Sequence, residues 1–580
     1  MTIPTQSEIV AKAAQGALLD ALFGEDPLGW HDDQEALAVV LADVHNSGQV
    51  DLLGLLTSEA LEPFGNLQLY EGRQLFLILI GKLRATASEL LSALEVINAA
   101  DPHRSSDYPV QEFSDWCAAD PERPMELLEL IDQGFPSAGL YLVTAITKGA
   151  QSEPVYFKDR GYAFLASGTQ QERISAMYAL TQIPDGDSSD FERLISALRS
   201  ILSEDPDDEV RAAVLRAAVE KIKQGDAASH DVLSALAENA AAQPGPQVRF
   251  TCANLISFDL KHLPLALIDT FLVVLGSGDL QHEGFLSSVD FALKRLVEAG
   301  EVLRVRRFVE LLLERESEEF GLHSFSSLCR CLITRNGDDL ANWVVAWLRS
   351  GDFRLCIQLS TELFIIGADN FSFDVDFNRF ALTPAEYGFL ARKSIGTFLL
   401  RPVIATSLLV SLLRSAPEEA AAEIEELLMD PVLINYSGTA SEFLKTITND
   451  GNDLAAPAAQ RALGRLDEYI QGLQSIGPVA ELLPSERERQ LEWQRHSDSM
   501  SAVMRESKKK SVVASLFSEK ILLHGSGAVT WVSGSGAEPR RLETTLTSIG
   551  HSMEIPRSQV VDPLGLEWLL YQYRHEAPPV

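Results

Sequence analysis

Arg173, Arg211 and Arg249 stand 38 residues apart, twice over, and each opens an apolar helical pattern. After Arg173 come Ala176, Ala179 and Leu180 at +3, +6 and +7. After Arg211 come Val214, Ala217 and Ala218, and after Arg249 come Cys252, Leu255 and Ile256. Those offsets share one helix face, and the small residues among them let a second helix approach closely. One helical hairpin cannot bury such a face alone, so a repeat of this length requires stacked neighbours. An arginine at a helix start opposes the macrodipole, which predicts a carboxylate partner from the neighbouring hairpin.

The lead-ins Asp207-Asp208-Glu209-Val210 and Pro246-Gln247-Val248 are also alike. The stretch Asp207 to Val214, with its Asp-x-x-Val-Arg opening, resembles the second helix of a HEAT-like repeat. The resemblance covers about residues 169–258. Thirty-eight residues past Arg249 stands Ser287, and the pattern does not continue there. It implies a superhelical scaffold whose concave face binds a partner. Beyond that stretch the solenoid reading, carried to about residue 484, rests on helical spacing. Leu75–Ile97, Met125–Ile131, Val232–Ala240, Val302–Leu313 and Leu340–Leu348 each place apolar residues on one face. Asp33 and Ser415 are expected to cap helices, the latter in a box with Glu418 and with Pro417 in the first turn. Pro184-Asp185-Gly186-Asp187, Gln243-Pro244-Gly245-Pro246 and Asn449-Asp450-Gly451-Asn452 read as turns.

The texture changes at Ser485. A capping box of Ser485 and Glu488 predicts a polar helix ending near Lys508-Lys509-Lys510. Ile521–Leu523, Val529–Val532, Leu542–Leu546 and Met553–Ile555 read as strands of a β-meander, with Gly525-Ser526-Gly527 and Gly534-Ser535-Gly536 as turns. Asp562 and Pro563 then start a helix with Leu566, Leu569 and Leu570 on one face. The expected fold is mostly α: an α-solenoid of HEAT-like helical hairpins with a small C-terminal α+β domain. Its segments are 1–165 (N-terminal helices), 166–484 (solenoid), 485–515 (charged helix and linker) and 516–580 (β-meander plus helix).

The formal net charge is −35. Residues 485–580 hold 12 acids and 12 bases, leaving 71 acids and 36 bases in residues 1–484. The acidic part repels phosphate backbones, so a basic protein is the expected partner of a solenoid groove. Nucleic acid is admitted only through the C-terminal segment, and self-association is a further option. Five cysteines, an odd and sparse set, read as buried thiols. Glu8 and Lys12 interrupt any secretion signal in MTIPTQSEIVAKAAQG. Ser394–Leu413 approaches a membrane span, but Arg401 and Pro402 near its centre favour two buried helices. A cytoplasmic location without membrane contact is expected.

The chain carries no linear catalytic motif: Gly81-Lys82 lacks the rest of a phosphate loop, and His282-Glu283 lacks a second histidine. Cys329-Arg330-Cys331, Asp374-Val375-Asp376, His31-Asp32-Asp33 and His230-Asp231 are short clusters better read as buried, turn or cap residues than as metal ligands. No cofactor is expected. Lys508, Lys509, Lys510, Arg540 and Arg541 form the one basic concentration and are the candidate partner-binding residues. The resulting expectation is a non-enzymatic binding scaffold. Its alternative is a nucleic-acid-associated regulatory protein acting through that basic segment. A place in a bacterial multi-protein system, such as antiviral defence or secretion, is a third expectation that no residue carries.

Overall fold

The 38-residue spacing of the arginines reappears as the spacing of helices. The computed structural model describes residues 4–23, 34–100, 110–186, 188–204, 206–225, 229–280, 282–315, 320–335, 337–363, 371–477, 484–510, 527–532, 540–545 and 554–579. It divides into two units, residues 1–320 with 324–331, and residues 321–323 with 332–580. The expected boundaries at 165/166 and 484/485 follow sequence texture, and this division follows contacts.

In the first unit, among the described residues, helices α1–α8 lie between Gln6 and Asp132. There follow α9 (Leu142–Gly149), α10 (Pro154–Ser167), α11 (Gln170–Gln182), α12 (Ser188–Ser203) and α13 (Asp208–Gln224). The series continues with α14 (His230–Ala241), α15 (Pro246–Asp259), α16 (Leu265–Gly276), α17 (Glu283–Glu298) and α18 (Val302–Arg315). The odd-numbered helices α9 to α17 stack as one layer and the even-numbered α10 to α18 as the other. The chain is thus a helical repeat protein. The long Leu75–Ile97 stretch is two helices, Asn66–Ile80 and Ala87–Ala100, divided at Gly81.

All nine residues at +3, +6 and +7 from the arginines are buried. The arginines differ. Arg173 meets Glu204 at 3.4 Å, the expected carboxylate. Arg211 is buried and donates from Nε to the Pro206 carbonyl at 3.0 Å. Arg249 departs from the expectation, because no carboxylate among the described residues pairs with it, and its Nε, like that of Arg173, is buried without an acceptor.

Repeats are also stapled by side chains that reach one repeat onward. The Asp208 carboxylate accepts from the Gly245 and Gln247 amides, at 2.8 and 2.5 Å, and so caps α15 from α13. A Cβ at 245 would lie 2.3 Å from the Asp208 carboxyl carbon, so a larger residue there would push the capping carboxylate aside. Asp290 of α17 repeats the device, accepting from the Ser327 and Leu328 amides at 2.8 and 2.9 Å. Lys221 reaches the Ile183 carbonyl and Arg295 the Ser257 carbonyl, each 38 residues back. Asn46 bonds the main chain of Lys82 and Arg84 in the same register. The period therefore extends on both sides of residues 169–258.

In the second unit, α20 (Asp338–Ser350), α22 (Pro384–Phe398), α24 (Glu418–Leu427) and α26 (Ala456–Ile476) stack in one layer. Helices α23 (Pro402–Leu413) and α25 (Thr439–Asn449) pack beside them. The Ser394–Leu413 stretch is indeed two buried helices, with Pro402 opening the second. No helix among the described residues is long and apolar enough to cross a membrane. Arg414 ties three successive segments together, donating to Asp374 at 2.6 Å and to Asp453 at 2.7 Å. The expected cap at Ser415 is not formed. α24 begins at Glu418 with extended Pro417 before it, and Ser415 Oγ turns back to the Leu412 carbonyl.

The hydrogen bond from Arg414 holds the Asp453 carboxyl below the usual carboxylate range. A depressed carboxyl contributes stability that is present above its unfolded value, near pH 4, and lost as pH falls through the folded value. Asp453→Asn is therefore expected to be less stable than the parent at pH 7. It should also lose less on acidification below pH 4, as read by paired urea titrations at both pH values.

Among the described residues the expected small C-terminal α+β domain is not supported. Gly527–Val532 (β1) and Arg540–Thr545 (β2) pair antiparallel, with Gly527 opposite Thr545 and Val532 opposite Arg540. Ile521–Leu523 falls outside the described residues, and Glu554–Ile555 is not a strand. α27 (Glu486–Lys510) carries the expected Ser485–Glu488 box, and none of its residues is buried. α28 (Arg557–Val561) and α29 (Pro563–His575) follow, the latter capped by Asp562 as expected. Instead of closing a meander, α29 packs on α22, because Leu566 and Leu570 find their apolar partner in the repeat layer.

Candidate partner-binding groove

The odd layer of the first unit leaves one face open. Capping fixes where each of its helices starts. Thr169 and Glu172 form a reciprocal box at α11, Asp207 caps α13, and Asp208 caps α15. With the starts fixed 38 residues apart, equal offsets from the three arginines point the same way. Offset +5 gives Tyr178, Arg216 and Asn254, and all three line a groove of about 640 Å³. Ser175, Ala213 and Thr251, at +2, form its floor. Phe258 stands at the far rim, 71 % exposed, and Tyr178 is 52 % exposed. Phe291 of α17 lies beside Phe258, ring centroids 5.9 Å apart, and extends the aromatic rim.

The charges in the lining are nearly balanced: Glu209, Glu220 and Asp259 against Arg216 and Lys223. Lys223 bridges Glu220 at 2.7 Å and Asp259 at 3.0 Å, and the hydrogen bond to Glu220 raises its pKa. Arg216 Nη2 donates to Thr251 Oγ1 at 3.3 Å. An acidic groove was expected. The lining is mixed, with two protruding aromatic rings and polar groups between them. Such a surface supplies apolar anchors and orienting hydrogen bonds, the two elements of a recognition site.

The residues expected to contact a partner lie elsewhere. Lys508, Lys509 and Lys510 form the exposed last turn of α27, and Lys510 pairs with Glu506 at 2.9 Å. Arg541 and Arg540 stand in β2 opposite Trp531 and Val532. Groove residues were missed because Tyr, Arg and Asn at +5 share no residue type. Counting from the registered arginines would have found them.

Cys117, Cys252, Cys329 and Cys356 are buried, and Cys331, two positions from Cys329, is half-buried. Burial pushes the Cys117 and Cys252 thiols up to about 12 and Cys356 to about 11, far from a reactive thiolate. Asp374 pairs with Arg414, Asp376 caps the turn at Asn378, and His230-Asp231 opens α14. Among the described residues no three His, Cys, Asp or Glu side chains converge as a metal site would need. His31-Asp32-Asp33, including the expected cap at Asp33, and Gly534-Ser535-Gly536 fall outside the described residues. A second recess, about 800 Å³, lies between α16 and α18 around Val273, Leu303 and Leu311.

No protein-family model matches the chain, and no curated protein matches it. Among solved structures it is similar to a "Circular tandem repeat protein with novel repeat topology and enhanced subunit contact surfaces". The identity is 11 %, the match covers 80 % of this chain and 97 % of that one, and the TM-score is 0.17. A score that low carries no argument, so the repeat assignment rests on the register described above.

Proposed function

We propose that the chain is a non-enzymatic scaffold of HEAT-like hairpins that holds a segment of a protein partner in the α11–α13–α15 groove. The observation that carries this reading is the +5 ladder of Tyr178, Arg216 and Asn254 beside the exposed ring of Phe258. Large aromatic and arginine side chains dominate protein-binding energies when a partner covers them. Balanced charge suits a segment that brings both an apolar anchor and polar groups, and it does not demand a strongly basic one.

The test is affinity capture with the full chain at low and high salt. Partners recovered by the parent should be lost by Tyr178→Ala/Phe258→Ala, with at least a tenfold drop in affinity, and kept by Val273→Glu on the other layer. Equal recovery by parent and groove variant would overturn the reading. The nucleic-acid alternative draws on the exposed lysine turn of α27. Recovery of DNA or RNA, abolished by replacing Lys508, Lys509 and Lys510 with alanine, would decide for it.

A further inference from the structure

Most of the charge in the α11–α13–α15 groove is already engaged within the chain. Lys223 sits between Glu220 and Asp259, at 2.7 and 3.0 Å. The other oxygen of Glu220 accepts from Gln224 Nε2 at 3.2 Å. Glu209 accepts from Gln170 Nε2 of α11 at 2.8 Å. Arg216 is the exception. Its guanidinium is exposed, and its hydrogen bond goes to the neutral Thr251 hydroxyl. No carboxylate among the described residues pairs with it, and Glu220, one turn on along α13, is turned to Lys223 and Gln224 instead. The two residues level with Arg216 are also unengaged. The Tyr178 hydroxyl and the Asn254 carboxamide make no hydrogen bond among the described residues. Three donors thus line the groove in register, and the middle one carries a full positive charge.

That sign runs against the molecule as a whole, whose net charge of −35 repels anions at long range. At physiological ionic strength the Debye length is about 8 Å, so a charge seated on Arg216 responds first to its immediate neighbours. Glu220 and Asp259 share the Lys223 ammonium. Glu209 lies seven residues back along α13, about 10 Å away at the rise of a helix. A carboxylate suits the place, because a guanidinium holds it through two parallel hydrogen bonds. A phosphoryl dianion would call for a second cation, and Lys223 is held by two acids.

The register of the donors also sets a spacing. Neighbouring helices of one layer pack about 8–10 Å apart. A polyproline II segment returns to the same face every third residue, an advance of about 9 Å. Residues i, i+3 and i+6 of such a segment would meet α11, α13 and α15 in turn. A β-strand alternates faces at every residue and would turn its i+3 side chain away.

We propose that the groove takes an extended, polyproline II-like segment of a partner protein, with an aspartate or glutamate on Arg216 and an apolar side chain three residues away against Tyr178. Three residues to the other side, a second apolar side chain meets Phe258. The inference rests on the reading of this groove as a partner-binding site, and it adds the sign and the spacing of what binds.

The test selects phage-displayed random dodecapeptides on the full chain and, in parallel, on Arg216→Glu. Peptides recovered by the parent should carry an acidic residue three positions from an aromatic or aliphatic one. Their affinity should fall at least tenfold in Tyr178→Ala/Phe258→Ala. Exchanging the acidic residue of a recovered peptide for lysine should cost at least tenfold on the parent, and the lysine peptide should regain its binding on Arg216→Glu. That reversal cannot arise from misfolding. Peptides that the aromatic double variant loses but that show no acidic residue at this spacing would sink the proposal and leave the groove reading standing. Acidic peptides that bind Arg216→Glu as well as the parent would do the same. Recovery of no peptide sensitive to the aromatic double variant would remove both.

Discussion

Asp290→Ala is expected to destabilise the first unit by about 3 kcal/mol, from the loss of hydrogen bonds between a buried charged group and two main-chain donors. The carboxylate is buried and serves the Ser327 and Leu328 amides of the next repeat. Alanine leaves both amides without an acceptor, and a buried donor so orphaned costs about 1–3 kcal/mol. Helix caps removed elsewhere cost about 0.5–2 kcal/mol, so the buried, cross-repeat version lies above that range. Asp290→Asn keeps one good acceptor and should recover roughly half. In a repeat array the loss is local before it is global. Hydrogen exchange should therefore accelerate first in α17 and in the helix starting at Ser326. A cost under about 1 kcal/mol would show that the stapled register does not hold the repeats together.

Asp185→Ala should cost about 3 kcal/mol for a related reason. Lys221 is 3 % exposed and depends on Asp185 at 3.1 Å and on the Ile183 carbonyl at 3.4 Å. Without the carboxylate, a buried ammonium keeps a single carbonyl, and breaking one side of such a pair is the costly step. Asp185 is itself about a third exposed, which places the effect at the low end of the 3–5 kcal/mol seen for buried pairs. The informative comparison is Asp185→Ala/Lys221→Met. Removing both charges and filling the volume with an apolar chain should restore most of the loss. Urea unfolding of the three proteins checks this. A double variant less stable than Asp185→Ala alone would show that the ammonium is held by something other than the carboxylate.

The helical repeat was legible in the sequence only where its register is written in side chains. Arg173, Arg211 and Arg249 mark three helix starts, and the faces counted from them are buried as expected. Past Ser287 the period persists, but other atoms carry it. Asp290 bonds to backbone amides, and Arg295 bonds to the Ser257 carbonyl. Every residue has a main-chain carbonyl, and every residue but proline an N–H, so such partners leave no trace in composition. The groove shares this difficulty, because Tyr178, Arg216 and Asn254 agree in position and not in kind. Caps were read well at Ser485 and Asp562, where side chain and turn agree. Ser415 failed because Pro417, expected inside the first turn, stands just before it in an extended conformation. The C-terminal domain was misread for a different reason. Leu566 and Leu570 correctly announced an apolar helix face, but nothing in a local pattern says whether it covers a nearby sheet or a helix some 180 residues earlier.

That long separation has a consequence for the order in which the molecule is made. The side-chain staples of the repeats join positions some 36–39 residues apart, as at Asn46 with Lys82 and Asp208 with Gln247. Each repeat can settle as soon as its successor leaves the ribosome, and short loops of this kind close quickly. The contact of Lys393 with Arg574 spans 181 residues. Throughout the synthesis of that stretch, the α22 face is finished but uncovered. The Lys393 ammonium therefore stays in solvent until its carbonyl partner at Arg574 is translated, and the C-terminal helix is among the last pieces of the second unit to close.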